Sequence, residues 1–333
     1  MSYETPVPDW RITLDGKDLT STMKPRLMEL SLTEKRGGEA DQLDITLNDS
    51  RGDLAIPRPG VRLHVRLGWA SGSDVAIGLV DKGDFIVDAV EHSGPPDAIT
   101  IRARAADLSG DMRSRREKSW HDSTIGQIVA DVAARHKLTP RVAPALAGKA
   151  VKTATQSRES DLAFLKRLGR EHDAVATIKA GSLIFSPIGA AITATGKAIP
   201  SATVRRRDGD RHRFSIEKQE EVTGVEASYH DLGAGRKKTV TAGKSGKTRK
   251  LSRTYASEAE AKAAASAEQS RAGRLPLKLS FDLALGRPDL YPERRITAQG
   301  FKKEIDAQGW LIAQVTHRLG GGGFTTALEM EGV

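Results

Sequence analysis

The chain has 333 residues, 38% hydrophobic and 29% charged, too long for one ordinary core and sized for two or three folded domains. It contains no cysteine, which excludes disulfides, thiolate nucleophiles and cysteine-ligated zinc or iron-sulfur centres. A formal charge of +9 speaks to association with acidic partners, nucleic acid or anionic surfaces and not to fold. No window approaches the roughly 18 apolar residues of a membrane span, and residues 1–10 lack a secretory signal, so the protein is expected to be made in a cytoplasm.

In chain order, the first third reads as strands. Trp10, Ile12 and Leu14 alternate before Asp15-Gly16; Leu43, Ile45 and Leu47 alternate before Asn48-Asp49; Val61, Leu63, Val65, Leu67 and Trp69 give the longest run. Residues 85–90 and 99–103 flank Ser93-Gly94-Pro95-Pro96 and predict a hairpin. Residues 1–108 are expected to form an antiparallel β-barrel.

Near Asp107 the period changes. Ile125, Ile128, Val129, Val132 and Ala133 recur at helical spacing behind a cap at Asp122 or Ser123. A second helix carries Phe164, Leu162, Leu165 and Leu168, opened by Ser157 or Ser160, with Glu159 and Asp161 placed for the helix dipole. Residues 175–178 and 183–185 pair across Ala180-Gly181. Residues 109–200 are thus expected as an α+β middle domain ending in a polar connection over 189–201. Strands resume in 201–333, at 214–216, 222–229, 294–301, 310–319 and 324–330, interrupted by a helix over about 257–272 that Ser257 and Glu260 open as a capping box.

Several strings invite chemistry and fail on spacing. Thr241-Ala-Gly-Lys-Ser-Gly-Lys-Thr248 ends like a phosphate loop, but Thr241 stands where a glycine is required and no apolar helix follows. Gly320 to Gly323 lie between strands and predict a wide hairpin turn. The eight histidines are scattered without paired helical spacing, and there is no Gly-x-Ser-x-Gly elbow. Glu159, Asp161 and Glu171 share one helix, where a glycosidase pair would face across a cleft. No catalytic residue, cofactor or metal is expected. The basic signal is stronger: Arg236, Lys237, Lys238, Lys244, Lys247, Arg249, Lys250 and Arg253 come without an intervening acid, predicting an exposed basic loop over about 233–253 that meets an acidic protein face. Sequence-specific nucleic-acid binding is not expected, since neither interleaved aromatics nor a helix-turn-helix accompanies the charge.

The segment Gln156-Ser-Arg-Glu-Ser-Asp-Leu-Ala-Phe-Leu-Lys-Arg-Leu168, with His172-Asp-Ala and Leu183-Ile-Phe185 behind it, resembles the middle domain of the contractile-tail hub family. That family joins phage late control protein D, R-type pyocin hubs and the N-terminal part of the type VI spike protein VgrG. Trp120-His-Asp-Ser-Thr-Ile-Gly-Gln-Ile128 resembles the entry to its first middle-domain helix. Gly286-Arg-Pro, Gly300-Phe301, Trp310-Leu-Ile, His317 and Gly323-Phe-Thr-Thr-Ala-Leu-Glu329 resemble its end. The resemblance implies a mainly β fold, two similar β-barrels separated by an α+β insert, and no catalytic residues. It implies a structural baseplate hub, a homotrimer joining a sixfold tail tube or tube initiator above to a threefold spike below, with wedge proteins around it and the tape measure protein as a further contact. Assembly is expected in the host bacterial cytoplasm. The chain stops where VgrG would continue, so the spike is expected as a separate polypeptide. The alternatives to be weighed are a tail-associated peptidoglycan hydrolase and a basic nucleic-acid-binding late regulator.

Overall fold

The computed structural model describes residues 3–37, 40–105, 110–179, 181–190, 197–216, 223–231, 233–244, 246–274 and 277–333. Asp107, the expected boundary at 108/109, Val222 and the middle of the 189–201 connection lie outside the described residues.

Period-two alternation in the first third gives β1 (Val7–Leu14), β2 (Lys17–Asp18), β3 (Leu27–Lys35), β4 (Gln42–Asn48), β5 (Arg62–Ser71), β6 (Gly78–Ser93) and β7 (Ala98–Ala105), with a one-turn helix α1 (Thr20–Met23). The middle block is β8 (Arg115–Thr124), α2 (Ile125–Arg135), β9 (Thr139–Val142), α3 (Pro144–Ala147), β10 (Ala150–Ser160), α4 (Asp161–Glu171), β11 (Ala174–Lys179) and β12 (Ser182–Pro187). The last third is β13 (Ala202–Arg205), β14 (Gly209–Ile216), β15 (Gly224–Asp231), β16 (Arg236–Gly243), β17 (Thr248–Tyr255), α5 (Glu258–Arg274), β18 (Leu277–Leu283), β19 (Arg295–Gln299), α6 (Lys303–Asp306), β20 (Gly309–Gly320) and β21 (Gly323–Gly332).

The two terminal thirds are built on one plan. With the two-residue β2 set aside, the first barrel is ordered β3-β4-β7-β6-β5-β1. The second is ordered β14-β18-β21-β20-β19-β13. Numbered by position in its own half, with β15 to β17 of the second half also set aside, each reads second, third, sixth, fifth, fourth, first. All neighbours run antiparallel except β13, which lies parallel to β19.

The barrels are separated in sequence by the middle block but fused in space. β3 pairs antiparallel with β20, from Lys35 opposite Gln314 to Glu29 opposite Gly320, so one sheet runs through both halves. Their cores also interlock. Leu319 and Phe324 of the second half join Leu30, Leu43, Ile45, Leu63, Val65 and Phe85 of the first. Trp69 packs on Phe324 with ring centroids 5.3 Å apart, and its Nε1 donates to the Gly286 carbonyl at 2.9 Å. Each such buried side chain contributes about 1.5–3 kcal/mol of transfer free energy, so this seam resists separation. Gly320 to Gly323 close β20 onto β21 with Gly320 opposite Gly323, a tight two-residue turn and not the wide one expected.

In the middle block the helices form where the apolar spacing places them. The cap of α2 is Thr124, not Asp122 or Ser123: its hydroxyl accepts from the Gln127 amide at 3.2 Å while Gln127 accepts from the Thr124 amide at 2.9 Å. Asp122 is unsuited to the role because its φ of 44° lies in the left-handed region, away from the extended conformation of a cap. Ser160 caps α4 by accepting from the Ala163 amide. Phe164, Leu165 and Leu168 then meet Ile128, Val129 and Val132 in one core, with Trp120 stacked on Phe164 at 4.8 Å.

The second half differs from the first by an insertion. Strands β14 and β18 form a hairpin whose last pair is Ile216 opposite Leu277, and residues 223–274 lie between them as a lobe with its own core. In this lobe β16 runs antiparallel and β17 parallel to the central β15. Helix α5 covers one face, Ala261, Ala264 and Ala265 meeting Val225, Ala227, Tyr229 and Tyr255. The segment expected as a basic loop is therefore mostly strand, β16 and β17, which bracket β15 instead of pairing with each other. Its apolar period is carried only by Val240, Ala242, Leu251 and Tyr255, small contacts that suffice because alanines let the helix approach closely.

Candidate assembly interface

The eight basic residues do not form one patch. Lys238 pairs with Asp231, Arg249 with Glu268 on α5 at 3.1 Å, Lys250 with Glu226 at 3.5 Å, and Arg253 with Glu171 on α4. Arg253 and the Glu260 carboxylate, which accepts from the Lys152 amide, dock the lobe on the middle block through charges. Arg236, Lys237, Lys244 and Lys247 make no ion pair with described residues and are exposed. Arg236 and Lys237 sit opposite Asp231 and His230 at one end of β15. Lys244 and Lys247 clamp the Thr223 backbone at the other. Eight residues at about 3.3 Å each put roughly 23 Å between these two cationic poles. Thr241 and Thr248, the ends of the phosphate-loop-like string, lie in β16 and β17, and a strand follows where that motif needs a helix.

The acidic residues of the middle block have ionic partners that sequence spacing did not reveal. Asp161 is fully buried and accepts from Arg135 Nη1 at 2.8 Å, His136 Nε2 at 2.7 Å and Gln156 Nε2 at 2.9 Å, with Arg116 Nε at 3.5 Å. Its place in the first turn of α4 therefore serves a buried ionic cluster more than the helix dipole. Glu159 forms a bidentate pair with Arg167. Burial pushes Glu171 above the ordinary glutamate range, against the opposing pull of Arg253 and Arg167. Its neighbour His172 is held down to about 4, by burial first and then by Lys149.

A second buried network lies at the seam between the barrels. The Lys82 ammonium of β6, 3% exposed, donates to Glu34 of β3 at 2.6 Å. His317 of β20 stands 3.3 Å from the same carboxylate, and its Nδ1 lies 2.9 Å from the Thr326 hydroxyl. Burial lowers the His317 pKa and Lys82 adds to that, with Glu34 opposing. Three strands from two halves thus share one desolvated charge pair.

The other face of the fused sheet is polar. Ser31, Thr33, Gln42, Asp44, Thr46, Thr100 and Arg102 lie there in the first half, opposite in orientation to the buried leucines and isoleucines. Gln314, Arg318, Thr325, Glu329, Lys278, Ser280 and Asp282 continue it in the second half. Among the described residues the sheet ends in open edges: β14 pairs only with β18, and β2 covers only Thr13 and Leu14 of β1. Barrels fused edge to edge with strand edges left open define the class, an assembly subunit whose edges call for cover.

The chain belongs to the phage tail baseplate hub (GPD) family, whose model matches residues 39–322. It is 41% identical to the probable baseplate hub protein of Escherichia phage 186, over 97% of this chain and 92% of that protein. Among solved structures it resembles a tail protein from Neisseria meningitidis MC58, with a TM-score of 0.69 at 13% identity over 98% and 96% of the two chains. It also resembles the E. coli c3393 protein, a type VI secretion component, with a TM-score of 0.54 at 15% identity over 92% and 74%. The family expectation read from residues 120–185 and 286–329 thus holds, as does the mainly β fold, and the protein is a baseplate hub of a phage tail or tail-like particle.

Proposed function

We propose that three copies of this chain close into a ring that adapts the sixfold tail tube to the threefold spike. The observation that carries the reading is the shared strand order of the two halves. Three copies then present six like barrels, so that six tube subunits meet six near-equivalent seats while the spike meets three identical chains. The polar face of the fused sheet suits the wall of a water-filled channel, and the middle block lies outside it, facing the wedge proteins. The tape measure protein passes or ends in that channel. The role is structural and non-enzymatic, with no cofactor.

The lobe of residues 223–274 is the contact with a neighbouring tail protein of acidic surface. Its two cationic poles carry that contact, since the other four cations are committed within the chain. Replacing Arg236, Lys237, Lys244 and Lys247 together with Ser is expected to reduce tail yield while the hub stays folded; wild-type yield would remove the lobe from assembly.

Copy number tests the ring. Mass measurement and low-magnification imaging of purified particles are expected to give three hubs per tail, and six would overturn the adaptor. A cleared zone around the purified chain on cell-wall substrate would favour the hydrolase instead, and salt-resistant sequence-selective DNA binding the regulator.

A further inference from the structure

The internal joint between the barrels predicts the joint between copies. Within one chain, the second strand of the first barrel (β3) pairs with the fifth strand of the second (β20) over Gln314–Gly320, on the same side of β20 that β19 occupies over residues 309–311. The equivalent elements are open. β14, the second strand of the second barrel, has one edge unpaired among the described residues. β6, the fifth strand of the first barrel, pairs with β5 as far as Ile86; beyond it, no strand among the described residues lies beside residues 88–93 on that side, and five of the six are exposed. When the hairpin ends of β20–β21 and β6–β7 are matched, Gly320 opposite Gly323 and Ser93 opposite Ala98, residues 314–320 correspond to 87–93.

We propose that β14 of one copy pairs antiparallel with residues 88–93 of β6 in the next copy, repeating between chains the joint that β3 and β20 make within one. This rests on the ring proposed above and names the contact that closes it. Within a single copy the two edges stand seven strand spacings apart, about 34 Å along the sheet, and no strand pairing among the described residues joins them.

Side-chain direction and charge agree with the pairing. Matching Leu32 to His212 through β4 and β18 sets His212 opposite Val90, Arg211 opposite Glu91 and Asp210 opposite His92. Both Arg211 and Glu91 then lie on the polar face. His212 points inward against Phe301, and Val90 points inward beside Ile101. The β14 edge carries Arg211 and Arg213; the β6 edge carries Asp88 and Glu91. Arg211 and Glu91 now hold only exposed partners, Asp282 at 3.7 Å and Arg102 at 3.4 Å, and both are free to re-pair.

The absence of cysteine makes the test clean. Full-length Arg211→Cys/Glu91→Cys is assembled into particles, oxidised and run under denaturing, non-reducing conditions, beside each single variant. Covalent dimers and closed trimers from the double variant alone support the pairing. Three hubs per particle without those bonds overturn it and leave the ring standing, whereas another copy number overturns both. A charge exchange covers failure of the cysteine pair to assemble. Arg211→Glu is expected to cut particle yield about tenfold, because a like-charge pair recurs at every joint, and Arg211→Glu/Glu91→Arg to recover it. Wild-type yield from Arg211→Glu, or no recovery in the exchange, overturns the proposal.

Discussion

Asp161→Asn tests how the middle block is held together. The substitution keeps the shape of the side chain and removes the charge that Arg135, His136 and Arg116 surround at 2.7–3.5 Å. The aspartate is fully buried, and each of its hydrogen bonds to a cation is worth about 1.5–3 kcal/mol. Removing one partner of such a cluster leaves uncompensated buried charge and costs about 3–5 kcal/mol. In a unit of this size, that lowers its melting point by roughly 15–25 °C. Tryptophan placement supplies the assay. Of the four tryptophans, Trp120 reports on the middle block, Trp10 and Trp69 on the first barrel and Trp310 on the second. Urea titration of the fluorotryptophan-labelled full chain, followed by fluorine NMR, is expected to show the Trp120 signal melting far earlier in the variant. The other three should hold near their wild-type midpoints. A shift of less than 1 kcal/mol at Trp120, or four signals moving together, refutes the reasoning.

At the seam, Lys82→Met is expected to cost about 3–5 kcal/mol by stranding the Glu34 carboxylate, while Lys82→Met with Glu34→Leu costs markedly less; additive losses in denaturant titration would contradict the pairing. His172 and His317 both have depressed pKa values in the folded chain, so the unfolded chain binds more protons as pH falls. For His172 the stabilisation is full above about 6.5 and is lost towards 4, on the order of 2 kcal/mol after allowance for its partial exposure, and His317 adds to the loss in the same direction. Denaturation midpoints measured from pH 7 to 4 should fall, and less steeply in His172→Gln; a flat profile would be inconsistent with buried neutral imidazoles. Gly169→Ala is expected to loosen the α4–β11 junction, since a Cβ there would lie 2.5 Å from the Ala174 carbonyl oxygen, with early loss of the Trp120 signal as the readout.

Sequence by itself determined the elements whose signal is local. Alternation at residues 63–69 and 324–330 marked barrel strands, and the leucine and isoleucine spacing marked α2 and α4, because one buried face imposes its period wherever it lies. The motif around Glu159 to Leu168 carried the family, since the Ser160 cap, the Glu159–Arg167 pair and the core face of α4 lie within one short stretch. The lobe was legible as charge but not as structure: runs of cations at Arg236–Lys238 and Arg249–Lys250 mask a sheet whose inner face is carried by alanine, valine, leucine and tyrosine. Tertiary structure alone decided the pairing of β3 with β20, which joins residues about 280 positions apart, and with it the meeting of Glu34, Lys82 and His317. Register at that distance leaves no mark in a local period. It is set by which edges remain open after each barrel has folded, and that same residue of open edges fixes where the next copy can bind.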